Sequence, residues 1–185
     1  MTAIKVIVAS TCLLVLAACT GGTGAGHAWL SSYYTQDVVR YAARDGSMLV
    51  TVHGDFGVSI KQVNNEIAKN MSLPGWFAPA TFVAASPSAA NKEHRFVFVI
   101  NPVDIKISGK NACAATKAIP TANISEKVRI VAAFCAGDEV ATELTETGIG
   151  GFPGDSKLRP QFLAFLDSIV SELVPARKVY VPAGN

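Results

Sequence analysis

The chain is 185 residues long, 50% of them hydrophobic and 16% charged. Domains usually run to about 100 to 200 residues, so this mix suits one globular domain with a buried core and excludes a disordered chain or a string of modules. With 16 Lys plus Arg against 14 Asp plus Glu, the net charge is only +2, which excludes the broad basic face of a nucleic-acid binder.

At the N-terminus a single charge, Lys5, precedes an apolar run from Val6 to Leu16 and then Ala17, Ala18 and Cys19. The run is too short for a hydrocarbon core, which needs about 20 residues, and reads as a secretory signal peptide. Leu16-Ala17-Ala18-Cys19 resembles the lipobox of bacterial lipoproteins. The resemblance implies cleavage before Cys19, diacylglycerol on its sulfur and a further acyl chain on its amine, a hold much firmer than one chain gives. Thr20-Gly21-Gly22-Thr23-Gly24-Ala25-Gly26 then has nothing to bury and reads as a tether. As a phosphate loop it lacks a preceding strand and a following Lys-Ser/Thr pair. The expected layout is a signal peptide over 1–18, the lipidated Cys and tether over 19–36, and a single domain over 37–185. Thr20 is not the Asp that, by family analogy, retains enteric lipoproteins in the inner membrane, so the periplasmic side of the outer membrane is the expected address.

Cys12 leaves with the signal and Cys19 carries lipid, which leaves Cys113 and Cys135. In an oxidising compartment two such thiols read as a structural disulfide worth roughly 3 kcal/mol. No Cys-x-x-Cys spacing favours a redox pair, and the segment lacks the extra Cys or His that a thiolate metal site needs.

Along the mature chain, Asp45-Gly46 between 38–43 and 48–53 reads as a hairpin of two antiparallel strands. Ser59 and Gln62 form a capping-box pattern ahead of Ile60, Val63, Ile67 and Met71 at helical spacing. Thr81–Ala84 reads as a short strand, Arg95–Ile100 as a central buried one, and 103–107 as a half-exposed one. Lys127–Cys135 and Glu139–Thr145 read as a strand pair about a turn at 136–138, the second with exposed carboxylates. Finally Leu158, Phe162, Phe165, Leu166, Ile169, Val170 and Leu173 form one helical stripe, with Pro160 in the first turn and Pro175 beyond the end. The expected fold class is α+β, an antiparallel sheet of about five to seven strands with two helices packed on it. The segments Tyr41-Ala42-Ala43-Arg44-Asp45-Gly46 and Ala132-Ala133-Phe134-Cys135-Ala136-Gly137-Asp138 are similar to uncharacterised proteobacterial lipoproteins, a resemblance that implies no activity.

His53-Gly54-Asp55 ends a strand with a His beside a carboxylate, the residue types of a general base or metal ligand, and His94 would complete three ligands. Polar residues leaving a strand are also ordinary. No Gly-x-Ser-x-Gly, His-Glu-x-x-His or Walker motif occurs, so no catalytic set and no cofactor is expected. Gly148 to Gly154 offers backbone N–H groups to an anion or simply connects sheet to helix. Trp76 and Phe77, between Pro74 and Pro79, read equally as a recognition surface or as core under a loop. The leading expectation is a lipid-anchored, non-enzymatic periplasmic binding or structural module whose partners are the membrane and an envelope protein. The alternative is an envelope hydrolase or metal-dependent enzyme using His53, Asp55 and His94.

Overall fold

The computed structural model describes residues 28–85, 94–150 and 160–176. The signal peptide, Cys19, the tether up to residue 27, Leu158 and most of the Gly148 to Gly154 loop lie outside the described residues. In chain order the elements are β1 (Trp29–Leu30), α1 (Gln36–Ala42), β2 (Ser47–His53), α2 (Ile60–Lys69), β3 (Thr81–Ala84), β4 (Arg95–Ile100), α3 (Gly109–Ala114), β5 (Lys127–Ala136), β6 (Glu139–Ile149) and α4 (Pro160–Leu173). The stretch 19–36 thus already holds β1 and the first residue of α1.

The fold is α+β, and two parts of the expectation require correction. The six strands form a mixed rather than antiparallel sheet, in the order β1-β6-β5-β4-β2-β3. β2 pairs in parallel with both β3 and β4, whereas β4, β5, β6 and β1 follow one another antiparallel. The described residues also contain four helices rather than two.

The hairpin expected at Asp45-Gly46 is a helix-to-strand turn. Thr35 caps α1, its Oγ1 accepting the N–H of Val38, and Arg40 pairs with Asp37 at 2.8 Å on the solvent side. Val38, Val39, Ala42 and Ala43 pack on the core at helical spacing, so burial of that face overrides the β-branched pair. Gly46 then takes φ +71°, which only glycine adopts without strain, and the chain enters β2.

β4 is buried at every position and divides its side chains between two cores. Phe96, Phe98 and Ile100 join Val50, Val52, Ile130 and Phe134 on the face covered by α1, α2 and α4. Val97 and Val99 join Val131, Ala133 and Cys135 on the opposite face, under α3. This alternation is the pleat itself.

The end of α4 is held from three directions. Thr142 Oγ1 donates to the carbonyl of Leu173 at 2.7 Å, Trp76 Nε1 to that of Val174 at 3.2 Å, and the Tyr34 hydroxyl to that of Pro175 at 2.9 Å. Carbonyls at a helix C-terminus have no intrahelical partner, so these donors satisfy groups that would otherwise need water.

On the other face a six-residue helix has to be fastened by other means. Ser108 and Asn111 form a reciprocal capping box at α3, while Ser59 makes no side-chain cap at α2, against expectation. Glu143 Oε2 accepts the Gly109 N–H at 2.5 Å. Of the carboxylates expected to be exposed, Glu139 is so and Glu143 is half-buried; β6 runs on past Thr145 to Ile149, with Glu146 buried. The strand expected over 103–107 is absent. Asn101 at φ +52° turns the chain off the sheet, its side chain bonded to Asn123 and Arg129, and Val103 and Ile105 stand exposed.

The Cys113–Cys135 disulfide is formed, with Cα atoms 5.6 Å apart, and ties α3 to the end of β5. Arg95, buried at the start of β4, donates to the carbonyls of Gly137 at 3.0 Å and Cys113 at 2.5 Å. Replacing both cysteines by Ala should lower the unfolding free energy by about 2 to 4 kcal/mol. Urea unfolding measures this, and an unchanged midpoint would show that α3 is held without the bond.

Candidate functional site

β2 and β4 lie side by side in parallel, but the chain leaves them towards opposite faces. After β2 it enters α2 on the larger core, and after β4 it reaches α3 on the smaller one. In open sheets this divergence leaves a crevice outside the carboxyl ends of the strands, the usual ligand position. Here a crevice of about 650 Å³ opens beside the ends of β2 and β3, closed on the β4 side by residues 118–121.

Its walls are mainly apolar, formed by Val52, Ile60, Ala84, Ala85, Ala118 and Ile119. Polar groups come from His53 at the end of β2, from Lys61, Asn64 and Asn65 on one face of α2, and from Thr121. The helical period explains the α2 face, because Ile60, Lys61, Asn64 and Asn65 lie one turn apart while Val63 and Ile67 turn into the core. Gly54 is needed at the mouth, since a Cβ there would lie 2.4 Å from the Phe56 ring.

His53 is buried, and its Nδ1 accepts the N–H of Ile119 at 3.1 Å. In a neutral ring the proton therefore sits on Nε2, which makes that nitrogen a donor. Burial, and secondarily the nearby Arg95 charge, push the His53 pKa down to about 4. At neutral pH this side chain is an uncharged hydrogen-bond donor. A group with that pKa is a poor general base near pH 7.

Asn64 is only 7% exposed, and its Oδ1 has no hydrogen-bond partner. Buried amide oxygens nearly always have one, and leaving one unmade costs about 1 to 3 kcal/mol. Among the described residues Lys61 is the only one of the lining with a formal charge at neutral pH, and it makes no ion pair there.

The expected constellation of His53, Asp55 and His94 is not assembled. Asp55 is exposed, and its Oδ1 accepts the N–H of Gly57. His94 precedes β4 at the far end of the strands, five residue steps from the level of His53, or about 16 Å. There it meets Tyr41 edge-on and lines a second, more polar cleft of about 350 Å³ with Arg44 and Asp45. Among the described residues no group of three or more His, Cys, Asp or Glu is arranged to hold a metal ion. Trp76 and Phe77 also part company. Trp76 is 47% exposed with its indole N–H bound to the Val174 carbonyl just beyond α4, and Phe77 is buried in the main core.

Asn64, Lys61 and Thr121 were not legible as site residues. On α2 the asparagines look like an ordinary solvent face, and only their placement against the ends of β2 and β3 distinguishes them.

Comparison of the chain with protein-family models, curated proteins and solved structures finds no match. No helix among the described residues is long and apolar enough to cross a membrane.

The lowered His53 pKa has a defined consequence for stability. Between its ordinary value of 6.5 and about 4, the unfolded ring takes up a proton that the folded ring does not. Stability is therefore complete above about pH 6.5 and falls as the pH drops, by on the order of 3 kcal/mol at the acid end. His94, lowered by partial burial and then by Arg44, adds a contribution of the same sign. His53→Asn, whose Oδ1 can replace Nδ1 as the acceptor for Ile119, should flatten most of this slope. Urea unfolding across that pH range checks it, and an equal slope in the variant would assign the loss elsewhere.

Proposed function

We propose that the chain is a lipid-anchored periplasmic protein, acylated at Cys19, that acts as a non-enzymatic binding module of the cell envelope through the crevice at His53. The observation that carries the binding role is the mostly apolar crevice itself, with His53, Asn64, Asn65 and Thr121 as the few uncharged polar residues of its lining. A pocket lined by apolar surface with a few placed polar groups is the usual form of a small-molecule site. The enzymatic alternative draws less support, because His53 is an uncharged donor with its Nδ1 occupied and His94 stands at the other end of the strands.

The anchor rests on the lipobox resemblance of Leu16-Ala17-Ala18-Cys19, and Thr20 favours the outer membrane over the inner. The Cys113–Cys135 bond suits an oxidising compartment. An envelope protein partner is compatible with this role, with the crevice supplying the small-molecule part of recognition.

Two measurements test the reading. Protein taken from its own membranes should have the mass of residues 19–185 plus acyl groups, and Cys19→Ser should release it from the membrane fraction. A non-acylated mass would overturn the anchor. In a small-molecule thermal-shift screen on the detergent-solubilised protein, at least one stabilising compound should lose its effect in Ala118→Trp, which fills the crevice from an exposed loop position. A screen with no hit sensitive to that variant would overturn the binding role.

A further inference from the structure

On the smaller face of the sheet, the turn after β4 holds apolar side chains out into solvent. Asn101 takes the chain off the strand, Pro102 bridges to Thr121, and the Val103 N–H donates to the Pro120 carbonyl at 3.1 Å. Asp104 closes the turn, its carboxylate accepting the Lys106 N–H at 2.8 Å and its carbonyl accepting that of Ile107 at 3.3 Å. Val103 is left 64% and Ile105 75% exposed, the two highest values for large apolar side chains among the described residues. Single exposed apolar residues are ordinary, but here two stand on one tied-down turn beside a third. Ile107, at the end of the turn, lines a shallow cleft of about 250 Å³ with Trp29, which is 54% exposed. Trp29 lies opposite Glu143, whose carboxylate meets α3, so its ring is on this same face.

The tether and the charge of the face identify its occupant. β1 is the first element of the fold, and only ten residue steps separate Trp29 from Cys19. A chain of that length reaches at most about 36 Å, so an acylated Cys19 keeps this edge of the domain close to the bilayer. Lys106 in the turn and Lys110 in α3 are exposed. Lys127 and Arg129 alternate with Val131 and Ala133 along β5 and so share their face. None of these four cations makes an ion pair among the described residues, and the two carboxylates among them, Asp104 and Glu143, accept backbone N–H groups. Exposed apolar side chains, an aromatic ring and a surplus of cations are the chemistry of a surface resting on phospholipid.

We propose that this face lies on the bilayer, with Val103, Ile105 and Trp29 in the boundary between headgroups and acyl chains and the four cations at the lipid phosphates. The inference rests on the acylated Cys19 proposed above and adds an orientation to it. The lipid keeps the domain at the membrane, and the turn selects which side of the domain faces it.

Acylated protein reconstituted in vesicles of phosphatidylethanolamine and phosphatidylglycerol tests this, with phospholipids brominated on the acyl chain near the headgroup as fluorescence quenchers. One variant carries Ile105→Trp together with Trp29→Phe and Trp76→Phe, and a second carries Trp29→Phe alone, which leaves Trp76 on the larger face as the reference. Emission from position 105 should shift to the blue and fall by roughly twofold or more, as for a ring sunk about 5 to 10 Å into the boundary. Trp76 should be unquenched. Adding Lys106→Glu and Lys127→Glu to the first variant should relieve the quenching without releasing the protein, because the acyl chains still hold it.

A photo-crosslinking side chain at position 105 of the otherwise native protein, in its own membranes, gives an independent readout should the triple variant fail to fold. Adducts with phospholipid support the orientation, and adducts with a second copy or another protein in their place overturn it. No quenching at position 105, or equal quenching at 105 and 76, in protein that stays acylated and vesicle-bound overturns the orientation and leaves the anchor standing. Protein without acyl groups overturns the anchor and the orientation with it.

Discussion

The parallel pairing of β2 with β4 is the constraint on which the rest of the fold depends. It places five register pairs, from Leu49 with Arg95 to His53 with Val99, at the centre of the sheet. Parallel neighbours cannot be joined by a tight turn, so the chain has to make long excursions between them. One excursion supplies α2 and the edge strand β3, and it closes the larger core. A separate excursion, from β4 to its antiparallel neighbour β5, supplies α3 and the 118–121 segment on the other face. The crevice is the gap between these two departures, and its position follows from topology before any side chain is chosen.

The two faces are closed with unequal means. On the larger face, helices of 7, 10 and 14 residues bury a broad apolar surface. Burial at about 25 cal/mol per Å² secures that side without covalent help. The opposite face has one helix of 6 residues and a smaller cluster of Val and Ala. A helix that short is unstable by itself. The capping box at Ser108, the Glu143 bond to Gly109, the disulfide and the buried Arg95 all converge on it. Arg95 also acts on His53 through its field, reinforcing the neutral state that burial of the ring mainly sets.

How much of this was legible in the sequence differs by element, for physical reasons. β4, β5 and the body of α2 and α4 show strong periodicity or continuous β-formers, and their cores match it. The Cys pair was readable from compartment and count. α1 was not, because Val38-Val39 next to Asp45-Gly46 carries a strand signal that only tertiary burial of Val39 and Ala42 overrules. α3 was not, because six residues contain less than two helical turns and its capping box uses Asn111 where Glu or Gln is usual. Parallel order could not be read either, since pleat alternation is the same in both directions and only long-range pairing decides it. At the site, His53 was visible as a polar residue ending a strand, but Asp55 was chosen by proximity in sequence and His94 by residue type alone. Asp55 faces solvent two residues on, and His94 belongs to the start of a neighbouring strand rather than to its end.

The distinction between binding and catalysis turns on what the fold does to each polar group. A catalytic His needs a free lone pair, a pKa near the working pH and a partner to orient it. The fold instead spends the Nδ1 lone pair of His53 on the Ile119 amide and lowers the pKa by burying the ring. What remains is a fixed N–H. Asn64 is a second uncharged group on the lining, an amide that never ionises. Under the binding role proposed here, fixed uncharged polar groups beside an apolar gap would discriminate by shape and hydrogen-bond sense, because a ligand lacking a matching group leaves a buried partner unpaired. Neither group changes protonation near neutral pH, so in the proposed role their hydrogen bonds would stay constant over the range in which an acid–base catalyst would be titrating.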